Sequence, residues 1–383
     1  MLFMTAAVFS RNSNHEFSES LECGKVSQIQ LGDRHFYLRL PTHQTCADAS
    51  HPLPLVVLIH CYGCSALMEI DKFSSAADRL GFGLAAPEGT GRSFNSPSCC
   101  GQAKDERLPD VAFIDSVAAH ALNSLSPPRF HASAVFAAGF SNGGFLTSYL
   151  ADESRTAWAG LAPIAGHEYE LKLSQGPMPV SIHHCASDNM VNASGCCMLP
   201  DAVRGSRETC CCGITASRCV PTRHLFDRWL KVNQCRGSKH SSLKLLPHAA
   251  CHVGVGCAAE TALCMHGMSG TGVGGPATGG SCFHSQWSRD FSAGAEEVLA
   301  FFARQACTRQ GGHTDENALV SAGACHCSKA RLGPHCMQAR PDRAGSPRAD
   351  RDEHRALRSL DQSGYSASGG RVWGKRQGHR RGI

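Results

Sequence analysis

The sequence predicts an α/β fold, with a mostly parallel central sheet covered by helices on both faces. Three observations predict it. Apolar runs of strand length alternate along the chain with segments of helical periodicity. The run Leu55-Val56-Val57-Leu58-Ile59 has no polar face, as a strand buried on both sides requires. The motif Gly139-Phe140-Ser141-Asn142-Gly143-Gly144 lies between an apolar strand and a helix.

Taken in order, Val26–Leu31 and His35–Leu40 alternate polar and apolar residues around Gly32-Asp33-Arg34, which predicts an opening hairpin. Leu55–Ile59 is the first buried strand. Ala66–Leu80 places Leu67, Ile70, Phe73, Ala77 and Leu80 on one helical face. Gly83–Ala86 is a short strand ended by Pro87, and Asp110–Leu125 is an amphipathic helix. Ala134–Ala138 reads as a strand, Gly143–Asp152 as a helix, and Leu161–Ala165 and Val180–His184 as strands. His224–Val232 is a helix, Leu243–Leu246 a strand, and Ala293–Gln305 a last amphipathic helix. Ala193–Thr222 breaks this rhythm with six cysteines and little periodicity, so it is expected to be a disulfide-tied insertion. Gly267–Gly280 is Gly-rich and is expected to be a loop.

Domain organisation follows. Residues 1–22 are a signal segment or a disordered N-terminus: Leu2–Phe9 is apolar but short and lacks a basic flank. Residues 23–306 form the α/β domain with its insertion at 193–222, residues 307–338 a small cysteine-bearing unit, and residues 339–383 a basic, disordered tail. The tail carries 11 Lys/Arg and 5 Asp/Glu, a net +6 against +5 for the whole chain. The folded part is therefore near neutral, which argues against a nucleic-acid partner. Hydrophobic residues make up 42% of the 383, enough for a sizeable core. No apolar run is long enough to span a membrane. The 22 cysteines, including Cys99-Cys100, Cys196-Cys197 and Cys210-Cys211-Cys212, indicate an oxidising compartment and hence secretion. The sequon Asn192-Ala193-Ser194 fits that location.

The chemistry centres on Ser141. Between strand and helix, G-x-S-x-G forms a sharp turn that lifts the serine oxygen above the sheet edge. A serine hydroxyl needs a histidine base oriented by a carboxylate, and on this topology the order is serine, acid, histidine. Asp188 follows the strand Val180–His184, where the acid belongs; a loop-capping role is the bland alternative, and Asp201 and Asp227 are poorer candidates. His252, His266 and His284 compete as the base, and His284, directly before the last helix, is preferred with His266 next. Two backbone amides would hold the oxyanion: that of Asn142, and that of Tyr62 in the loop His60-Cys61-Tyr62-Gly63-Cys64, with the neighbouring Cys61 amide as the alternative to Tyr62. No metal or cofactor is needed for this chemistry.

Together these residues resemble the secreted poly(3-hydroxybutyrate) depolymerase and feruloyl esterase family of α/β-hydrolases. The resemblance runs from about Leu55 to Gln305. It includes Pro54–His60, Ser98-Cys99-Cys100-Gly101 followed by Asp110–Ile114, the serine motif through Phe145, Leu161–Gly166, His184…Asp188…Val191, and His284 with Trp287. It implies Ser141, Asp188 and His284 as a triad, and polyester or acylated and feruloylated polysaccharide as substrate. At two positions the family's His-Gly is replaced, by His60-Cys61 and His184-Cys185. A side chain at Cys61 is expected to crowd the acyl oxygen, at a cost of about 1 kcal/mol or more if the glycine supplied a positive φ. Cys325-His326-Cys327 and Gly333-Pro334-His335-Cys336 resemble the close of an epidermal-growth-factor-like module, implying a truncated module with Cys327 and Cys336 paired.

Other readings were open. A non-catalytic extracellular binding or adhesion protein on a decayed hydrolase scaffold would explain the cysteine replacements and the module-like tail. Cys61-Tyr62-Gly63-Cys64 is a C-x-x-C, but redox chemistry would want it at a helix start in a small domain. Zinc binding lacks a paired C-x-x-C or H-E-x-x-H pattern, and disulfides account more simply for the cysteines. Oligomeric state is not legible.

Overall fold

A computed structural model describes residues 21–42, 46, 52–125, 127–166, 171–173, 175–186, 188, 191–195, 221–241, 249–266 and 287–309. In chain order the strands and helices are β1 (Val26–Leu31), β2 (Arg34–Arg39), β3 (Leu53–Ile59), α1 (Ala66–Leu80), β4 (Gly83–Pro87), α2 (Gln102–Asp105), α3 (Asp110–Asn123), β5 (Phe130–Phe140), α4 (Asn142–Glu153), β6 (Gly160–Ile164), β7 (Val180–Cys185), α5 (Thr222–Val232), β8 (Gly237–His240), β9 (Ala249–Val255), β10 (Thr261–His266) and α6 (Trp287–Arg309).

One sheet holds all ten of these strands in the order β1-β2-β4-β3-β5-β6-β7-β10-β9-β8. The six central strands, β4 to β10 in that order, run parallel. An antiparallel pair closes each side, β1–β2 at one edge and β9–β8 at the other. A parallel centre entered through an antiparallel hairpin, with β4 outside β3 and a serine turn after β5, defines the α/β-hydrolase fold.

The apolar run of β3 explains its own position. Leu55, Val57 and Ile59 face one core cluster with Phe113, Ile114, Leu146 and Trp229. Val56 and Leu58 face the other, with Ile70, Phe73, Val298 and Phe302. Each buried aliphatic side chain contributes about 1.5–3 kcal/mol, so a strand with two apolar faces is stable only between two helical layers.

Most predicted elements recur within a few residues. The last helix begins at Trp287, ahead of the predicted Ala293, and β5 runs from Phe130 to Phe140 rather than only Ala134–Ala138. Strands β8, β9 and β10 were not anticipated: glycines, cysteines and histidines interrupt the apolar pattern of β8 and β9, while the short apolar run Ala262–Met265 of β10 was passed over. The predicted strand Leu243–Leu246, the Gly267–Gly280 loop, the module-like Cys325–Cys336 and the basic tail lie outside the described residues.

Five disulfides join described cysteines: Cys23–Cys46, Cys61–Cys64, Cys99–Cys100, Cys235–Cys257 and Cys251–Cys264. Cys185 and Cys307 are also disulfide-bonded. Among the described residues, no helix is long and apolar enough to cross a membrane. Most of the insertion lies outside the described residues, but its base is visible: Thr222 N–H donates to Ala193 O at 2.9 Å. Asn192 of the sequon is exposed beside that base.

Candidate active site

Ser141 stands in the turn between β5 and α4, with φ 54° and ψ −114°. A non-glycine residue held there costs about 1–3 kcal/mol, so the surroundings must impose it. They do so by close backbone approach. A Cβ on Gly139 would lie 2.3 Å from Gly143 O, and one on Gly143 would lie 2.0 Å from Ile59 O. Glycine at both positions lets α4 pack directly against the end of β3. Ser141 N–H donates to Ile164 O (2.8 Å), and Ala165 N–H donates to His183 O (2.9 Å). The ends of β5, β6 and β7 are thereby tied at one edge of the sheet. Open parallel sheets bind ligands at this carboxyl edge.

Asn142 opens α4, where first-turn amides have no partner within the helix. Its side chain is fully buried and occupied elsewhere. Oδ1 accepts from Phe94 N (2.7 Å), while Nδ2 donates to Phe94 O (3.0 Å) and Cys99 O (3.2 Å). The side chain therefore pins the segment that contains the Cys99–Cys100 disulfide, while the backbone N–H begins the helix. Sequence reasoning pointed only to the amide; this second role is created by three contacts distant in sequence.

The Tyr62 loop leaves β3 next to the serine turn, because Ile59 pairs with Gly139. The amides after Tyr62 are committed, Gly63 N–H to Arg92 O (2.8 Å) and Cys64 N–H to Cys61 O (3.1 Å). Arg92 Nε returns a bond to Cys64 O (3.1 Å), and Glu88 Oε2 accepts from Ala66 N (3.0 Å) at the start of α1. His60 completes the clamp. Its Nδ1 bonds Cys61 O (2.8 Å) and its Nε2 accepts from Gly89 N (2.9 Å), a pattern that only the neutral ring protonated on Nδ1 satisfies. Burial lowers the His60 pKa, against the opposing pull of the Cys61 carbonyl and of Glu88. Tyr62 itself is half exposed, with its ring over Gly101.

At Cys61 the backbone makes no demand for glycine. Cys61 is bonded to Cys64, is 4% exposed, and belongs to the same core cluster as Ile70 and Phe73. It is not among the residues with positive φ, so the backbone conformation does not require glycine. The C-x-x-C does lie directly before a helix, since Ser65 caps α1, but that helix covers a ten-stranded sheet rather than a small redox domain.

Asp188 follows β7 and is 4% exposed. Its Oδ1 accepts from Val191 N (2.9 Å), and its Oδ2 lies 3.8 Å from His184 Nε2, which bonds Val191 O (2.7 Å). The second replaced glycine position, Cys185, is fully buried in the core. His284 lies outside the described residues, between β10 and α6 in sequence. The two other histidine candidates are placed. His266 ends β10, 6% exposed, and contacts His183; burial, then His184, lowers its pKa to about 4. His252 lies on β9 beside His240. A cavity of about 700 Å³ opens beside Asp110, Arg107 and Tyr149, and neither Ser141 nor Asp188 lines it.

No protein-family model matches the chain, and no curated protein matches it in sequence. Solved structures do. An acetyl xylan esterase from Aspergillus awamori is similar over 63% of this chain and 92% of its own, at 12% identity and a TM-score of 0.41. A thermostable esterase is similar over 44% of this chain, at 15% identity and a TM-score of 0.32, and the match spans 48% of that esterase. A phospholipase/carboxylesterase from Dyadobacter fermentans DSM 18053 is similar over 45% of this chain and 77% of its own, at 18% identity and a TM-score of 0.29. These likenesses are remote. The assignment to the α/β-hydrolase fold stands on the strand order and the serine turn.

Proposed function

We infer that the chain is a secreted serine carboxylic-ester hydrolase. The observation that carries this reading is the strained turn at Ser141, imposed by glycine contacts at Gly139 and Gly143. Strain of this kind clusters at active sites, where the surroundings hold it for function.

In the proposed reaction, Ser141 Oγ attacks the ester carbonyl carbon while His284 takes its proton. Asp188 orients the imidazole. The tetrahedral oxyanion rests on the Asn142 and Tyr62 amides. His284 then returns the proton to the leaving alcohol, and the acyl group remains on Ser141. Water, deprotonated by the same imidazole, attacks the acyl-enzyme; as the intermediate collapses, the imidazolium returns that proton to Ser141 Oγ and the carboxylic acid leaves. Polyesters and acylated or feruloylated polysaccharides are the proposed substrates. Secretion is proposed from the disulfides, which persist in oxidising compartments. The backbone at Cys61, which has no positive φ, and its burial in a disulfide support an enzyme over a decayed scaffold, because the position does not demand the family's glycine.

A fluorophosphonate probe tests the proposal. Labelling of the wild type that vanishes in Ser141→Ala is the expected result. A folded wild type that resists the probe and leaves p-nitrophenyl esters of every chain length intact refutes it. In a labelled enzyme, His284→Ala should abolish the acidic limb of the pH–rate profile; retention of that limb would transfer the base role to another histidine.

A further inference from the structure

On the α1 and α6 side of the sheet, three groups from distant parts of the chain converge. They are His183 on β7, His266 at the end of β10 and Glu297 on α6. One ligand atom from each lies within 4.8 Å of the other two. His183 and its partners are deeply buried, at 0%, 6% and 6% exposure respectively. Glu297 Oε2 is buried without a hydrogen-bond partner among the described residues. Oε1 abuts the Cys251–Cys264 disulfide, 3.5 Å from each sulfur. Neither sulfur of a disulfide carries a proton to donate, so this contact does not compensate a carboxylate. A buried carboxylate is costly unless a cation or donors meet it, and the nearby Arg304, which attracts Glu297 electrostatically, spends its hydrogen bonds on Glu260 instead.

We propose that His183, His266 and Glu297 bind a divalent transition-metal ion such as zinc. The geometry fits the ion. His183 Nδ1 and His266 Nε2 are 3.3 Å apart, and two nitrogens bound to zinc at roughly 2.0–2.1 Å in tetrahedral geometry stand about 3.3–3.4 Å apart. Ser181 Oγ holds the far nitrogen of His183, Nε2, at 2.8 Å, the outer contact that fixes the orientation of a metal-binding imidazole. Two imidazoles and one carboxylate are a donor set suited to zinc. The ion would tie β7, β10 and α6 together, and so fix both flanks of the segment in which His284 lies. Linear spacing hides the site, since its residues stand at 183, 266 and 297. The proposal does not depend on Ser141 being a nucleophile, because its readouts are metal binding and stability.

The test uses the full chain, folded with its disulfides intact in the presence of zinc sulfate and then dialysed against metal-free buffer. Metal analysis should find about one zinc retained per chain. Glu297→Gln should retain none, while Ser181→Ala should bind zinc about 10- to 100-fold more weakly. Cobalt substitution should give the visible bands of a tetrahedral ion in the wild type and not in Glu297→Gln. His240→Gln/His252→Gln, which removes the other close histidine pair, should bind as the wild type does. Failure of the wild type to retain zinc, equal retention by Glu297→Gln, or loss in the His240/His252 variant would each overturn the proposal. If Glu297→Gln does not fold, the Ser181→Ala affinity decides: an unchanged value overturns it.

Discussion

Replacing Asn142 with alanine should destabilise the protein by about 2–4 kcal/mol, although the substitution leaves the backbone amide in place. The side chain is fully buried and makes three hydrogen bonds. Cys99 O keeps another partner, because Ser96 N also donates to it at 3.1 Å. Phe94 N and Phe94 O lose theirs. An orphaned buried donor or acceptor costs roughly 1–3 kcal/mol, and two such groups with partial relaxation give the quoted range. Asn142→Asp should be worse near neutral pH. One carboxylate oxygen could still accept from Phe94 N, but the other would face two carbonyl oxygens without water. Acidification, which protonates the carboxyl and restores one donor, should narrow the gap between the two variants. Urea unfolding monitored by tryptophan fluorescence, with stability taken from the midpoint and slope, measures all three proteins. Stability of Asn142→Ala within about 0.5 kcal/mol of the wild type would refute the tether, since that is the scatter of an ordinary surface substitution.

Gly143→Ala places a methyl group 2.0 Å from Ile59 O, so soluble expression should fall sharply, with thermal melting of any folded fraction showing a loss of about 3 kcal/mol or more. His60 is held neutral by burial, facing Glu88, Arg92 and Lys72, so its folded pKa lies below the 6.5 of the unfolded chain. Its contribution to stability should be complete above that value and fall by about 1.4 kcal/mol per pH unit as pH drops below it, until the folded ring also protonates. The acid slope of the unfolding free energy should therefore be shallower in His60→Asn; equal slopes would refute the assignment. Cys61→Ala/Cys64→Ala opens a very short loop, costing about 2 kcal/mol by loop entropy. Because that loop presents the Tyr62 amide, turnover of p-nitrophenyl acetate should fall about tenfold or more, beyond what the melting change explains.

What was legible in the sequence followed from rules confined to neighbouring residues. The apolar run of β3 reads as a two-sided strand because each residue faces one of two cores, and the glycines around Ser141 read as an elbow because their spacing is itself the steric requirement. Strands β8 and β9 obey no such rule. The segment Ala-Ala-Cys-His-Val-Gly-Val of β9 offers no sustained apolar face, and its strand state depends on pairing with β10 and β8. That pairing is tertiary and carries no local periodicity.

The Cys61 side chain shows the same limit of local rules: residue type gives its presence but not its course, which a bond to a second cysteine three positions on decides. Once Cys61 turns inward, the loop's shape is set by partners on the β4 side, His60 with Gly89, Arg92 with Cys64, and Glu88 with the start of α1. The sequence therefore named the groups proposed to meet the substrate, since their backbone positions are fixed by strand ends. It could not name the groups that hold them, because a clamp needs only complementary donors at the right place in space and can draw them from any part of the chain. Mutations at His60, Glu88 and Asn142 should accordingly be as damaging to the site as mutations at residues expected to touch the ester.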